Sequence, residues 1–107
     1  MSVGILNTKQ LEEITQAVIR ATDQRQLGQV WLITQEAYKV STESQIRSAF
    51  LTTFIEEALR SQAEEDFDRV KWLLDTLCNH VLCGMLSKLI VEAFVAAGID
   101  VTPATKG

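Results

Sequence analysis

The fold is decided by one stretch of the chain, Val81-Leu82-Cys83-Gly84-Met85-Leu86-Ser87-Lys88-Leu89-Ile90-Val91-Glu92-Ala93-Phe94-Val95-Ala96-Ala97. Its plainly polar residues are Ser87, Lys88 and Glu92. A helix formed from this stretch is apolar around almost its whole circumference, so it must be enclosed by other structure rather than docked along one face. Helical periodicity extends back to Phe67, and we predict one long, apolar last helix over residues 67–98, with a kink near residues 79–84.

This long helix has two apolar faces. The residues on the first face are Phe67, Val70, Leu74, Leu77, Cys78 and Val81. The residues on roughly the opposite face are Trp72, Asn79, Cys83, Leu86 and Ile90. A helix in a simple antiparallel bundle needs only one apolar face, so the second face requires another subunit, another protein or a ligand. We therefore predict a homodimer, with an interface formed by Trp72, Cys83, Leu86, Ile90 and Phe94.

A first amphipathic helix is predicted from Thr8 onward. Asn7 is the expected N-cap, and Leu6 is placed to pack back onto Leu11. The apolar positions that recur at helical spacing are Leu11, Ile14, Val18 and Ala21. Charged and amide side chains occupy the opposite face, which indicates one buried and one solvated side.

A second helix is predicted to follow, capped by Thr22 or Asp23. The residues that share its apolar face are Leu27, Val30, Trp31, Thr34, Ala37 and Tyr38. Trp31 is therefore expected to be an ordinary core residue. The alternative to a break at Thr22 is one long helix over residues 8–40.

The clearest boundary in the chain is Ser41-Thr42-Glu43-Ser44, because these side chains favour helix caps over helix interiors. A third helix is predicted from there to residues 61–62. Gly98 is expected to end the last helix in a left-handed conformation, with Ile99 packed back onto the final turn. The chain contains no recognisable internal repeat and no alternating stretch that predicts a strand.

Length and composition agree with a folded helical domain. The chain has 107 residues, of which 47% are hydrophobic and 22% are charged. We predict an all-α, single-domain bundle of four principal helices, with an ordered core over about residues 6–99 and a loose tail at 100–107. The net charge is -4 and the basic residues are scattered, which argues against nucleic acid as a partner.

The chain is expected to act in the cytoplasm. Residues 1–6 lack the charged start and long apolar centre of a signal peptide. Lys88 and Glu92 would each cost about 2.5–3.5 kcal/mol near the centre of a bilayer, so we expect a buried soluble helix with these two residues along its exposed stripe. Cys78 and Cys83 are expected to be reduced core residues.

No combination of residues predicts a metal site, a cofactor or an enzyme. Cys78, His80 and Cys83 point in different directions on a continuous helix and lack a fourth ligand. The acidic residues within 64–68 lack the spaced oxygen ligands and turn glycine of a calcium loop, and are expected to form a solvated first helical turn. Carboxylate pairs such as Glu56–Glu57 are expected to be exposed to solvent, which does not favour a catalytic acid–base role.

The segment His80-Val81-Leu82-Cys83-Gly84 resembles the His-x-Leu-Lys-Gly signature of histidine-containing phosphotransfer domains, which are all-α bundles. The resemblance covers five positions, and Cys83 stands where the family has lysine. It implies that His80 accepts a phosphoryl group and that Gly84, one turn further along the same helical face, leaves room for the donor. This is the first alternative function.

The function that we expect is a non-enzymatic one. The chain is predicted to be a small helical module that binds another protein as an adaptor, assembly factor or regulator, and that also binds itself. Trp72 lies among polar residues and is the better of the two tryptophans for an interface. The second alternative is a small apolar ligand held between Phe50, Phe54, Leu86 and Phe94.

Overall fold

The computed structural model describes residues 8–101, which form helices joined by short connectors, with no strand in this range. The elements are α1 (Thr8–Asp23), α2 (Leu27–Val40), α3 (Glu43–Ala63), α4 (Phe67–Thr76), a π-helical turn (Leu77–Val81) and α5 (Ser87–Ala96). The predicted all-α class is confirmed, and so is the separation of the first two helices. The predicted cap at Asn7, the packing of Leu6 and the tail beyond residue 101 lie outside the described residues.

The chain divides into two compact units, one that ends at Phe50 and one that begins at Leu51. The boundary lies inside α3, which therefore contributes its first part to the first unit and the rest to the second. The large apolar residues buried in the first unit are Leu11, Val18, Ile19, Val30, Ile46 and Phe50. Those buried in the second unit are Phe54, Val70, Leu73, Leu74, Leu77, Val81, Leu82, Ile90, Phe94 and Ile99.

The predicted long last helix is not observed. The segment is broken into α4, the π-helical turn and the short α5. The reason lies in the two apolar faces, because Val70 and Ile90 would lie about 200° apart around a continuous helix at 100° per residue. Both residues are buried in the second unit, with exposed fractions of 2% and 0%. The break changes the direction of the chain between α4 and α5, so that each of these two helices buries its own apolar face.

Backbone hydrogen bonds define where this break occurs. Leu82 donates its N–H to the carbonyl of Leu77 at 2.8 Å, five residues back, which is the π-helical spacing. Met85 then donates to Leu82 at 2.9 Å in a turn. Leu86 is extended, with φ −64° and ψ 128°, and α5 begins at Ser87. Residues 82–86 are therefore a short connector in the middle of the most apolar part of the chain.

The connector between α1 and α2 is a Schellman turn. Arg25 donates its N–H to the carbonyl of Thr22 at 3.1 Å, and Gln26 donates to Ala21 at 2.9 Å. Arg25 has a φ of 60°, a left-handed conformation that is uncommon for a residue other than glycine. The N-cap of α2 is Gln26, so the predicted capping by Thr22 or Asp23 is wrong.

The connector between α3 and α4 has the same geometry, 40 residues later in the chain. Glu65 has a φ of 60° and donates its N–H to Gln62 at 3.0 Å, while Asp66 donates to Ser61 at 2.8 Å. Asp66 is the N-cap of α4, and its Oδ1 accepts the N–H of Arg69 at 3.2 Å. The same backbone turn is thus built twice, although the sequence shows no repeat.

Two of the predicted helix boundaries are confirmed. At the start of α3, Thr42 Oγ1 accepts the N–H of Gln45 at 3.2 Å, and Gln45 Oε1 accepts the N–H of Thr42 at 3.4 Å. This reciprocal pair is a capping box. At the end of α5, Gly98 has a φ of 94°, and Ile99 donates its N–H to the carbonyl of Phe94 at 3.1 Å. Ile99 is buried, as expected for packing against the last turn.

Candidate interaction surfaces

The five residues of the predicted dimer interface occupy three different environments. Leu86 is 70% exposed and Cys83 is also exposed, both on the connector before α5. Trp72 is half-buried on α4. Ile90 and Phe94 are fully buried, so their side chains already serve the core of the chain. The dimer stays a prediction, and in this conformation Leu86 and Cys83 are the two residues of the set that are open to a second copy.

The outer face of α5 combines charged and apolar residues. Lys88 and Glu92 are both exposed, as predicted. They lie about 160° and 200° around the helix from Ile90, close to the centre of the solvent-facing side. Leu89 and Val95, which are 46% and 55% exposed, flank them. The two charges interrupt the apolar surface, so this face offers separate apolar positions rather than one continuous stripe.

The outer face of α2 carries a pair of large exposed apolar side chains. Trp31 is 55% exposed and Leu32 is 51% exposed. The prediction that Trp31 belongs to the core is therefore wrong. Trp31 lies about 100° around the helix from Val30, at the edge of the arc, while Thr34 and Ala37 lie close to Val30 and are buried. A tryptophan left this exposed retains a large apolar area in water, which is typical of a binding surface.

An open groove runs beside this pair, between α1 and α2. Its volume is about 660 Å³. The residues that line it are Ala17, Arg20, Ala21, Gln24, Gln26, Gly28, Gln29, Leu32 and Ile33. Among these lining residues Arg20 alone carries a charge, and the amide side chains of three glutamines provide hydrogen-bonding groups around the apolar ones. Gly28 faces open space at the groove wall, since a Cβ built on it would meet no heavy atom within 4 Å.

A buried ion pair links α3 to α4 in the second unit. Glu57 is only 7% exposed, contrary to its prediction as a solvated carboxylate. Arg69 donates from Nη2 to Glu57 Oε1 at 3.0 Å and from Nη1 to Ser61 Oγ at 2.8 Å. Arg60 approaches Glu57 Oε2 at 3.2 Å from the exposed side. The carboxylate is thus satisfied on both oxygens, which identifies it as a structural group of this unit.

The cysteines and the histidine have distinct environments around the π-helical turn. Cys78 is a half-buried free thiol, and burial is the main cause that raises its pKa. A hydrogen bond with Ser87 acts in the opposite direction, and the nearby charge of Asp75 raises the pKa further. Cys83 is an exposed free thiol, and His80 is half-buried. Within residues 8–101 no group of three or more His, Cys, Asp and Glu side chains is arranged to hold a metal ion.

The break in the chain also changes the geometry around His80. The π-helical turn ends at Val81, and Leu82 has left the helical conformation, with φ −111° and ψ 42°. Gly84 therefore does not lie one turn along the same helical face as His80, and the expected open face for a phosphoryl donor is not formed in this conformation.

The four residues suggested for a small apolar ligand differ in burial. Phe50, Phe54 and Phe94 are fully buried, whereas Leu86 is 70% exposed. A ligand enclosed jointly by all four side chains therefore has no support in the burial of these residues.

Two further findings bear on function. In the described part of the chain, no helix has both the length and the apolar character needed to cross a bilayer. Comparisons with protein-family models, with curated proteins and with solved structures give no match.

Proposed function

We propose that this chain is a small cytoplasmic helical module that binds another protein, as an adaptor, assembly factor or regulator, and that also self-associates as a homodimer. The observation that carries the proposal is the exposed pair Trp31 and Leu32, of which Leu32 also lines the open groove of the first unit. Two large apolar side chains with half of their surface in water gain free energy when a partner covers them. The free thiols Cys78 and Cys83 suit a reducing compartment.

The chemistry of the groove favours an amphipathic helix or peptide segment with an acidic residue. The apolar residues Leu32 and Ile33 provide a site for an aliphatic or aromatic side chain of the partner. Arg20, the one charged residue in the lining, favours a carboxylate, which it binds with a planar pair of donors. The glutamine amides in the lining can hydrogen-bond to partner backbone at the ends of such a segment.

Self-association is proposed to involve the region around Leu86, the most exposed large apolar residue described in the chain. The apolar surface of Leu86, Leu89 and Val95 is small for a stable interface, because specific interfaces bury about 800 Å² on each partner. A dimer that uses this surface alone is expected to be weak.

The partner surface is tested in two steps. A photoreactive amino acid is placed at residue 32, and proteins that cross-link to it are identified and purified. Binding of the purified partner is then measured by calorimetry to the wild type and to Leu32→Ser, Arg20→Glu and Leu59→Ser. Leu59 is the matched control, because it is also an exposed leucine, 36% against 51% for Leu32, but belongs to the second unit and to neither proposed surface.

We expect Leu32→Ser and Arg20→Glu each to weaken binding by about tenfold or more, a loss typical of a central interface residue. Leu59→Ser is expected to bind as the wild type does. Equal affinities for all variants would show that the groove is not the binding surface. The self-association half is tested separately by native mass spectrometry at low micromolar concentration, where a monomer at every concentration would contradict it.

A further inference from the structure

The connector Leu82-Cys83-Gly84-Met85-Leu86 has a sequence that does not require a break. Leucine and methionine are good helix formers, and Gly84 is the one strong exception, which disfavours the helix by about fivefold relative to alanine. Gly84 does not have a positive φ, and a Cβ built on it would meet no heavy atom within 4 Å. Neither local propensity nor steric hindrance at Gly84 therefore imposes the break.

The break exists because of packing. A straight helix over residues 67–96 would keep Val70 and Leu74 in the core of their own unit and would turn Ile90 and Phe94 to the opposite side. In the observed conformation Ile90 and Phe94 are fully buried, so the connector brings them back to that unit. A straight helix would bury Ile90 and Phe94 equally well if a second core, already shaped to receive them, lay on its other side.

A second copy of the chain contains such a core. The site that α5 occupies on this core matches α5 both in its apolar surface and in its hydrogen bonds. Gln62 donates from Nε2 to the carbonyl of Gly98 at 3.0 Å, and its Oε1 accepts the N–H of Asp100 at 2.7 Å. If two copies release α5 together, each can bind the other copy at this position with the same contacts. The exchange therefore needs no new surface, unlike a dimer formed through Leu86 alone.

We propose that two copies of this chain exchange α5, with residues 82–86 as the hinge and residues 67–96 of each copy joined into one straight helix. This inference deepens the self-association half of the proposed function and rests on it. The straightened helix reproduces the continuous helical periodicity of the sequence, and its two apolar faces then belong to two different copies. Exchange of an identical element is a known low-cost route to a dimer, because it reuses contacts that each copy already makes.

The first test changes the hinge glycine. Gly84→Ala favours the straight helix of the dimer and leaves the connector of the monomer without a clash. Gly28→Ala is the matched control, because Gly28 is also exposed and also has no heavy atom within 4 Å of a built Cβ, but it lies in α2 in both forms. Each variant is unfolded, refolded over a range of concentrations and measured by native mass spectrometry.

Because the dimer contains two hinges, Gly84→Ala is expected to strengthen dimerisation by about 20- to 30-fold, while Gly28→Ala leaves it unchanged. Insertion of two glycines after Gly84 is expected to weaken it, since a longer flexible connector closes more easily within one copy. Equal dimerisation constants for Gly84→Ala and Gly28→Ala would overturn the exchange.

The second test identifies which copy holds α5. Gln62→Cys and Asp100→Cys are introduced together, with Cys78 and Cys83 replaced by alanine, and the pair is linked with a short bismaleimide. Exchange predicts a covalent dimer after denaturation, in the fraction that native mass spectrometry finds as dimer. A native dimer that separates into internally linked monomers would overturn the exchange and leave the homodimer proposal standing. Absence of any dimer for the wild type and for Gly84→Ala would contradict both, while partner binding at the groove is judged independently by calorimetry.

Discussion

Replacement of Arg69 by methionine is expected to destabilise the second unit strongly. Arg69 joins α4 to α3 through Glu57 Oε1 at 3.0 Å and Ser61 Oγ at 2.8 Å. Methionine retains most of the aliphatic length of arginine but removes the charge and all of its donors. The carboxylate of Glu57, which is 9% exposed, then loses its buried partner and keeps only Arg60, at 3.2 Å on the solvent side.

The magnitude follows from burial. Removal of one partner from a fully buried ion pair costs about 3–5 kcal/mol, because the remaining charge stays desolvated. Here the side chain of Arg69 is 23% exposed, and Arg60 still neutralises part of the charge on Glu57. We therefore expect Arg69→Met to lower the free energy of unfolding by about 2–3 kcal/mol. Arg60→Met removes an ion pair in which the side chain of Arg60 is itself 66% exposed, and is expected to cost less than about 1 kcal/mol.

Urea unfolding measures both variants. Trp72 lies in α4 and reports on the second unit, and Trp31→Phe removes the fluorescence of the first unit. With a slope of about 1–3 kcal/mol per molar urea, the expected loss of about 2–3 kcal/mol should lower the midpoint of Arg69→Met by about 0.7–3 M. Equal midpoints for Arg69→Met and Arg60→Met would refute the reasoning. A double variant, Glu57→Leu with Arg69→Met, should recover much of the loss, since it leaves no unpaired buried charge.

The remaining predictions concern buried hydroxyl groups and the two thiols. Thr34 Oγ1 is buried without a hydrogen-bond partner in the described structure, so Thr34→Val should raise the free energy of unfolding by about 1 kcal/mol. Thr22 Oγ1 donates to a backbone carbonyl, so Thr22→Val should lower it by a similar amount, and shifts of the same sign in urea unfolding would contradict this assignment. Burial raises the pKa of Cys78, so this thiol should react with a maleimide more slowly than Cys83 and reach its full rate only at higher pH. Mass spectrometry of the labelled peptides measures both rates, unfolded protein labelled in urea is the control, and equal rates in the folded protein would rule out the difference.

Much of the helical framework is encoded in local sequence. The capping box of Thr42 and Gln45 and the left-handed Gly98 depend on contacts within a few residues, which a single sequence displays directly. The sequence predicts the connector between α1 and α2 only in part. Thr22 Oγ1 makes its hydrogen bond within α1, and Gln26 is the N-cap of α2 without a side-chain hydrogen bond. A left-handed Arg25 has no sequence signal, because arginine rarely takes that conformation.

The last helix shows what local sequence does not specify. On its two predicted apolar faces Val70, Leu74 and Ile90 are buried, whereas Cys83 and Leu86 of the second face are exposed. The pattern is satisfied either by a second partner or by a break, and only the packing of the whole unit chooses between them. Local sequence does not predict the burial of Glu57 or the exposure of Trp31 for the same reason. Each depends on which element packs against that face of the helix.

The paired connectors have a consequence for how this chain tolerates mutation. The turns centred on Arg25 and Glu65 have the same φ and the same pattern of hydrogen bonds, yet their side chains at these positions carry opposite charges. The turn is therefore specified by backbone hydrogen bonds and by the number of residues between the helices. Apart from the N-cap Asp66, most exposed positions of these turns should tolerate substitution, whereas insertion of a single residue would shift the register of the helix that follows. In these two segments the number of residues constrains the fold more than their chemical identity does, so deletions and insertions should be selected against more strongly than substitutions.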